Sequence, residues 1–257
     1  MRIFFIIAIM TETQWHALCD FRTDFKAKCA EWDETYSPLL RPLLQKITAE
    51  NDSTPYSIEN PVVYNTALDD ITADSDIKVI VIGDNPGKNE QSNAFKKYLV
   101  GQSGKIAQSF FEKNREFALD FRKNTIILNK TPIHTAKTVH LKLLAKADPR
   151  IFEAIRETQM YMAQKTAELH IKMARESAVE LWLVGYAEIK KHGVFELYRE
   201  SLKNAYENAP RSWENVFAFQ HFSMNRFAID LKAHTPPDTP LLTALKNLGR
   251  AHKRELF

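Results

Sequence analysis

An apolar run that passes directly into a turn rich in glycine and proline most constrains the fold of this chain. Residues 79–82 read Val-Ile-Val-Ile, and Gly83-Asp84-Asn85-Pro86-Gly87 follows at once. A continuous apolar run bounded by turn residues is typical of a strand buried on both faces of a parallel sheet. The two glycines and the proline predict a tight loop with exposed backbone N–H groups. In an α/β sheet, such a loop at the carboxyl end of a central strand is where ligands bind.

The same stretch contains Gly-Lys twice, but neither instance completes a phosphate-binding loop. That loop requires the pattern G-x-x-x-x-G-K-[ST]. Gly83 and Gly87 are one residue too close together, and at the second Gly-Lys the first glycine is replaced by Leu99. The pattern therefore argues against a nucleoside triphosphatase.

The chain from residue 76 to residue 257 alternates short apolar runs with helical patterns, which predicts one α/β domain. Helices are predicted at about 103–113, 149–176, 194–206, 226–232 and 239–248. Because strands that alternate with helices form parallel sheets covered on both faces, we expect a three-layer α/β/α fold with a central four-stranded, mainly parallel sheet. The four predicted strands are Lys78–Ile82, Thr125–Leu128, Leu181–Val184 and Val216–Phe219.

Residues 1–75 are predicted to form a helical extension that leads into this domain. One helix is expected over Thr11–Trp32 and a second from Ser37-Pro38 to about Ile47, followed by a polar connection with a short strand near Val62–Tyr64. The apolar run Ile3–Met10 is too short to span a membrane, and no small-residue cleavage site follows it. We read that run as a buried strand or as sequence upstream of a start at Met10, and we expect a cytoplasmic protein.

Charge and cysteine content exclude some kinds of site but do not identify a function. The net charge of +3 does not by itself indicate a nucleic-acid partner, although seven of the basic residues fall between Arg122 and Arg150 against Asp148 alone. Such a basic stretch is either a solvated face or a track for phosphates. The two cysteines, Cys19 and Cys29, fit no zinc motif and are too few for an iron–sulfur cluster. No metal ion or other cofactor is therefore predicted.

Polar side chains follow three of the four predicted strands. Asp84 and Asn85 follow the first strand, Asn129 follows the second, and His221 and Ser223 follow the fourth. An amide at such a position is often only a turn residue, and a lone histidine is often structural. If the sheet is parallel, however, all of these ends lie at one edge and the side chains can converge on one ligand.

The ordered set Gly83–Gly87, Ile126–Asn129 and His221–Ser223 resembles the uracil-DNA glycosylase superfamily. That superfamily has a G-x-x-P-[GY] loop that activates water, a strand that ends in Asn, and an H-P-S-type loop. The resemblance covers roughly residues 77–232. Glu90 and the segment Tyr98–Gly104 also resemble the P-F-V-G-x-x-G region of the iron–sulfur branch, although the cluster cysteines are absent.

The resemblance implies a DNA glycosylase that excises uracil or a related deaminated base after the nucleotide has left the stack. It implies that Asn85 positions water with Asp84 as a carboxylate partner, that Asn129 pairs with the base edge, and that His221 donates to the base oxygen. Gly83, Pro86, Gly87, Glu90, Tyr98 and Leu99 are the remaining predicted substrate contacts. Predicted DNA contacts are Lys130, Ser223, Met224 and Arg226, with Lys137 and Lys142 as further phosphate ligands.

This chain departs from the pattern at several positions. Asn85 stands where the classical uracil enzymes have Asp and the mismatch-directed branch has Asn. A neutral amide orients water but does not accept its proton. Leu99 replaces a stacking Phe, so Tyr98, Phe95 or Phe110 could stack on the base instead. Pro is also replaced by Phe222 and by Met224.

These departures keep a second class of function open, namely a catalytically weak or inactive superfamily member that binds nucleic acid or a nucleotide. A third reading, an unrelated α/β hydrolase-like enzyme, lacks the G-x-S-x-G motif. The expected partner is DNA, single- or double-stranded, that contains a deaminated base. We expect a monomer and no membrane partner.

Overall fold

The computed structural model describes residues 10–52 and 54–257, so most of the N-terminal apolar run lies outside the described residues. Its centre is a four-stranded sheet in which every pairing is parallel and the strand order is β2-β1-β3-β4. Helices lie on both faces, which confirms the predicted three-layer α/β/α class. The strands are β1 (Val79–Gly83), β2 (Thr125–Asn129), β3 (Glu180–Val184) and β4 (Val216–Phe219).

Nine α-helices are found in the described part of the chain. They are α1 (Glu12–Asn51), α2 (Gln102–Lys113), α3 (His140–Ala147), α4 (Pro149–Met173), α5 (Tyr186–Ile189), α6 (Glu196–Ala205), α7 (Pro210–Glu214), α8 (Arg226–Ala233) and α9 (Leu241–Leu256). The predictions did not include the short helices α3, α5 and α7, and they ended α9 at Leu248. Single 3₁₀ turns occur at Thr66–Asp70, Arg115–Phe117 and Ser223–Asn225.

The alternation of side chains along each strand divides the core into two clusters. Ile80 and Ile82 of β1 pack in one cluster with apolar residues of α1, α3, α4 and α6. Val79 and Val81 pack in the other with residues of α2, α8 and α9. Successive side chains of a strand point to opposite faces, so a continuous apolar run is required when both faces are covered.

The N-terminal segment contains one long helix rather than the two that were predicted. Helix α1 has 40 residues and includes both Pro38 and Pro42. A proline removes a helical hydrogen bond, which is why the sequence pattern indicated a break. The buried residues Trp32 and Leu40 belong to the same cluster as the sheet, and Trp32 donates to Glu157 of α4 at 2.9 Å. Packing against α4 therefore outweighs the local cost of the prolines.

The connection between α1 and β1 contains little regular structure. The predicted strand near Val62–Tyr64 is reduced to an isolated antiparallel bridge between Val62 and Ile133. Across residues 10–52 and 54–257, no helix combines the length and the apolar character needed to cross a membrane.

The register of the strands determines where a ligand can bind. Gly83 pairs with Asn129, and Val184 pairs with Phe219, so the strands end at one level. The chain passes from β1 to β2 on one side and then to β3 on the other. Loops that leave in opposite directions at such a switch point open a crevice at the carboxyl ends of the strands.

Candidate functional site

A cavity of about 440 Å³ occupies this crevice, and loops from all four strands line it. Thr135, Ala136, Thr138, Gly185 and Glu188 also line it, although none of them was predicted as a site residue. Eleven of the predicted site residues line the cavity: Asp84, Asn85, Gly87, Glu90, Leu99, Asn129, Lys137, His221, Ser223, Met224 and Arg226.

A larger cavity of about 780 Å³ lies beside β2, around residues 65–76 and 122–127. Tyr98 is the one predicted site residue among those that line it. None of its described lining residues has a buried polar atom without a hydrogen-bond partner. The smaller cavity therefore carries the candidate site.

Hydrogen-bond acceptors on one side of the Asn85 side chain fix the orientation of its amide group. Its Nδ2 donates to Thr135 Oγ1 at 2.8 Å and lies within 3.5 Å of the Pro86, Ile133 and Thr135 carbonyl oxygens. Thr135 Oγ1 donates in turn to the Lys137 carbonyl at 2.9 Å, so it can only accept from Asn85. Because these neighbours accept hydrogen bonds, the amide nitrogen faces them and Oδ1 remains an acceptor for a water or ligand.

Asn129 carries a buried donor without a partner. The residue is 2% exposed, and its Nδ2 has no hydrogen-bond partner among the described residues. A Cβ on Gly83 would lie 2.4 Å from Asn129 Oδ1, so the neighbouring strand must have glycine at this position. A buried amide without a partner is costly, and a carbonyl group on a bound ligand would satisfy it.

His221 is neutral and presents its Nε2–H. The Ser223 backbone N–H donates to Nδ1 at 3.1 Å, and Ser223 Oγ lies 2.8 Å from the same nitrogen. A backbone N–H can only donate, so Nδ1 must be the acceptor and the ring proton lies on Nε2. Burial lowers the pKa of His221, and the nearby Asp84 carboxylate opposes this effect.

Ser223 therefore positions His221, a role that was not predicted for it. We expected its hydroxyl to bind a DNA phosphate. The acceptor nitrogen of a neutral imidazole has one lone pair, and the Ser223 backbone N–H already donates to it, with Ser223 Oγ close by at 2.8 Å. The contact of the hydroxyl with a phosphate stays a prediction.

Asp84 and Lys130 form a buried ion pair under the cavity. Lys130 Nζ donates to Asp84 Oδ1 at 2.6 Å, to the Val184 carbonyl at 2.6 Å and to the Gly83 carbonyl at 3.2 Å. These contacts use all three ammonium hydrogens and join the ends of β1, β2 and β3. Burial lowers the pKa of Lys130, and the Asp84 carboxylate counteracts that change.

Two features limit the role of this pair. The Lys130 side chain is fully buried, so the prediction that it contacts DNA phosphates is wrong. Gly185 has φ +93°, and a Cβ there would lie 2.2 Å from Asp84 Oδ1. Asp84 is thus enclosed and paired, and it supports the loop of Asn85 rather than providing a free carboxylate to the cavity.

Glu90 is the carboxyl group of the cavity with the most altered acidity. It is 7% exposed, and burial raises its pKa to about 7, although the backbone of Gly87 and Leu99 and the charge of Arg122 act in the opposite direction. A buried carboxyl with a pKa near neutrality can exchange protons under physiological conditions. Glu90 was predicted only as a substrate contact.

Three predicted substrate contacts, Gly83, Pro86 and Tyr98, are not among the residues that line the cavity. Tyr98 is buried in the second core cluster, and its hydroxyl donates to the Val63 carbonyl at 2.5 Å. Phe110 packs against Phe111, and Phe95 does not line the cavity. None of the three aromatic residues considered for stacking on a base lines the cavity, whereas Leu99, which replaces the stacking Phe, does. Gly83 and Pro86 contribute backbone and shape rather than direct contacts.

The rim of the cavity carries exposed residues after β4. Met224 is 66% exposed and has φ +53°, and Asn225 follows it with φ +57°. Arg226, also exposed, begins α8. An apolar side chain beside a cation at a cavity mouth fits the predicted wedge into a DNA stack, which stays a prediction.

Within the part of the chain that the structure describes, no three His, Cys, Asp or Glu side chains are grouped so as to hold a metal ion. Comparison of the chain with models of protein families, with curated proteins and with solved structures gave no match. The fold and the cavity therefore define an α/β protein with a polar site at the carboxyl edge of its sheet.

Proposed function

We propose that this chain is a DNA glycosylase of the uracil-DNA type, which hydrolyses the N-glycosidic bond of a flipped nucleotide that carries uracil or a related deaminated base. The observation that carries the proposal is the buried, unpartnered amide of Asn129 in the same cavity as Asn85 and His221. These side chains offer a donor for the base edge, an acceptor for water and a second donor for the leaving base.

Base recognition rests on Asn129. Its amide can donate to a base carbonyl and accept from the adjacent ring N–H, a pattern that uracil presents and cytosine does not. A cytosine would place its exocyclic amino group against the Asn129 donor. Because a buried mismatch leaves polar groups unpaired, discrimination of about 1–3 kcal/mol is expected from this contact.

Bond cleavage leaves negative charge on the base, and His221 is placed to stabilise it. The electron pair of the C1′–N bond moves to the base, and the sugar becomes oxocarbenium-like. A neutral imidazole that donates from Nε2 stabilises the developing anion at a base oxygen. The contact of Ser223 with Nδ1 fixes the tautomer that this step requires.

The water that completes the reaction would bind to Asn85 Oδ1. Its oxygen adds to C1′, and this addition releases a proton. Because the neutral amide of Asn85 does not accept that proton, another group must take it. The Glu90 carboxylate lines the same cavity, and with a pKa of about 7 it is ionised above neutrality and can accept that proton. The products are an abasic sugar and the base anion, which takes up a proton from solvent water to give the free base, while Glu90 returns its proton to the solvent.

A single-turnover excision assay on a labelled single-stranded uracil oligonucleotide tests the proposal. Asn85→Ala should reduce the rate about a hundredfold, because the water loses its acceptor. Asn89→Ala is the matched control, since Asn89 is an exposed amide in the same loop. Alkali-sensitive product that is lost only in the Asn85 variant supports the assignment.

The second candidate is a superfamily member that binds nucleic acid without excision, which the neutral amide at position 85 favours. Intact uracil and intact deaminated purines in both strand forms would refute the glycosylase. Salt-sensitive retention of the same oligonucleotides would then support the binding protein.

A further inference from the structure

A segment outside the predicted catalytic loops is tied to the loop that carries Asn85. We call residues 54–61 the brace segment. Gln91 Oε1 accepts from the N–H groups of Glu59 at 2.7 Å and Asn60 at 3.0 Å. Gln91 Nε2 donates to the Ser57 carbonyl at 2.8 Å, and Asn60 Nδ2 donates to the Gln91 carbonyl at 2.7 Å. These four hydrogen bonds hold the brace segment against Gln91, which lies in the long connection after β1.

The other side of the brace segment is anchored to α1. The Arg41 guanidinium donates to the Ile58 carbonyl and, at 3.2 Å, to the Glu59 carbonyl. A guanidinium that binds two successive carbonyls restrains the backbone between them. The long N-terminal helix is therefore connected to the candidate site through the brace segment.

His134 joins the brace segment to the Asn85 loop. Its backbone N–H donates to the Pro61 carbonyl at 2.8 Å. Its Nδ1 lies 2.8 Å from the Pro86 carbonyl, and its Nε2 lies 2.9 Å from the Tyr56 hydroxyl. A carbonyl only accepts, so Nδ1 carries the proton and Nε2 accepts from Tyr56.

Both rings keep the protonation state that this arrangement needs. Burial lowers the pKa of His134 to about 4, and burial raises the pKa of Tyr56. At neutral pH the imidazole is therefore uncharged and the phenol keeps its proton. The hydrogen bonds then run in one direction, from Tyr56 to His134 and from His134 to Pro86.

The Pro86 carbonyl is the point at which this chain reaches Asn85. It accepts from the Thr135 N–H at 3.2 Å and lies 3.3 Å from Asn85 Nδ2. A displacement of Pro86 would move the residue beside it and alter the contacts that orient its amide. Misplacement by about 1 Å can cost a hundredfold in rate.

We propose that Tyr56 and His134 are positioning residues that hold Asn85 in the orientation required to place the attacking water. The inference rests on the proposed function for its catalytic consequence. Its structural content, the hydrogen-bond chain from Tyr56 through His134 to Pro86, stands apart from that function.

Tyr56→Phe is the central test, because it removes one hydroxyl and leaves the ring. The expected result is a single-turnover excision rate about tenfold lower, with half-saturation by the oligonucleotide unchanged within about twofold. Tyr36→Phe is the matched control, since its hydroxyl donates to Glu157 and Tyr36 does not line the cavity.

A pair of His134 variants separates the two ring contacts. His134→Asn places an amide nitrogen where Nδ1 lies and can still donate to Pro86, whereas His134→Gln extends its amide toward Tyr56. The Asn variant should keep more activity than the Gln variant. Equal losses, or a Tyr56→Phe rate equal to that of Tyr36→Phe, would overturn the proposal.

Nitrogen-15 NMR gives a readout that does not depend on excision. The wild-type His134 ring should be protonated at Nδ1, and the Thr135 amide should exchange with solvent more slowly than in Tyr56→Phe. A ring protonated at Nε2 would refute the hydrogen-bond chain. If that chain is found but no substrate is excised, the proposed function fails and the brace remains a structural feature.

Discussion

Replacing Glu90 by Gln removes an ionisable group from the cavity while nearly preserving its shape. The Glu90 carboxyl has a pKa of about 7 in the folded chain, against an ordinary value of 4.5. That difference corresponds to about 3 kcal/mol at pH values above both. Because the residue is almost completely buried, solvent screening reduces this figure little.

The sign of the effect follows from where the proton is held. The unfolded chain releases the Glu90 proton near pH 4.5, whereas the folded chain keeps it until about pH 7. The free energy of unfolding of the wild type should therefore fall as pH rises from 4.5 to 7 and then level off. The Gln variant has no proton to lose at this position, so its free energy of unfolding relative to the wild type should increase over the same pH range.

Urea unfolding at pH 4 and at pH 8.5 measures this change. We expect the stability of Glu90→Gln relative to wild type to be greater at pH 8.5 than at pH 4 by about 3 kcal/mol. Glu116→Gln, at an exposed position, is the control and should show no such difference. A Glu90 variant that behaves like this control would refute the buried, weakly acidic carboxyl.

The same pair of proteins tests the proposed role of Glu90 in accepting the water proton. The wild-type excision rate should rise with pH through about 7 as the carboxyl ionises. The Gln variant should be slower and should lack this rise. The ionised Glu90 carboxylate would then lower the free energy of unfolding and also accept the proton that the reaction releases.

Three further predictions concern the cavity and its floor. Asn129→Asp should weaken uracil excision about tenfold or more and favour cytosine, which competition between two labelled oligonucleotides can measure. His221→Ala should lower the single-turnover rate about a hundredfold with little change in binding, since its donor acts on the departing base. Lys130→Met should cost about 3–5 kcal/mol in thermal or urea unfolding, because it leaves the buried Asp84 carboxylate without its partner. Unchanged base preference would contradict the role of Asn129, and equal losses in rate and binding would contradict that of His221. A stability change below about 1 kcal/mol would contradict the role of Lys130.

The sheet could be predicted from the sequence because each strand is an apolar run bounded by Gly, Asn or Gln. The predicted and observed ends of the strands differ by at most one residue. The prediction of a break in α1 was wrong. The prolines that indicated it are visible in the sequence, whereas the packing of Trp32 and Leu40 against the core is not. Tertiary contacts decide such cases over local propensity.

The site was predicted at the level of loops better than at the level of side chains. Asn129 and Lys130 are neighbours in an extended chain, so their side chains point in opposite directions. Once Asn129 faces the cavity, Lys130 cannot, and the alternation was a signal that could have excluded it from DNA contact. That reasoning does not extend to Tyr98 and Leu99, because they lie in a turn and Leu99 has φ +52°. Both belong to the second core cluster, and Leu99 also lines the cavity.

The partners that orient Asn85 were missed for a different reason. Thr135, His134 and Tyr56 carry no motif, and their hydrogen bonds join segments separated by as many as 78 residues. A sequence pattern can name a strand end, but it does not identify which distant polar groups meet it. The direction of the Asn85 amide is therefore information that only the folded chain contains.

The ion pair beneath the cavity also has a consequence for how this chain can vary. Loss of Lys130 alone would leave the buried Asp84 carboxylate without a partner, and loss of Asp84 alone would leave the Lys130 ammonium without one. Either loss would remove a large part of the free energy of unfolding of a domain. Joint replacement by uncharged residues of similar volume is expected to cost far less. Positions 84 and 130 should therefore change together or not at all, so that sequences descended from a common ancestor of this chain would carry either both charges or neither.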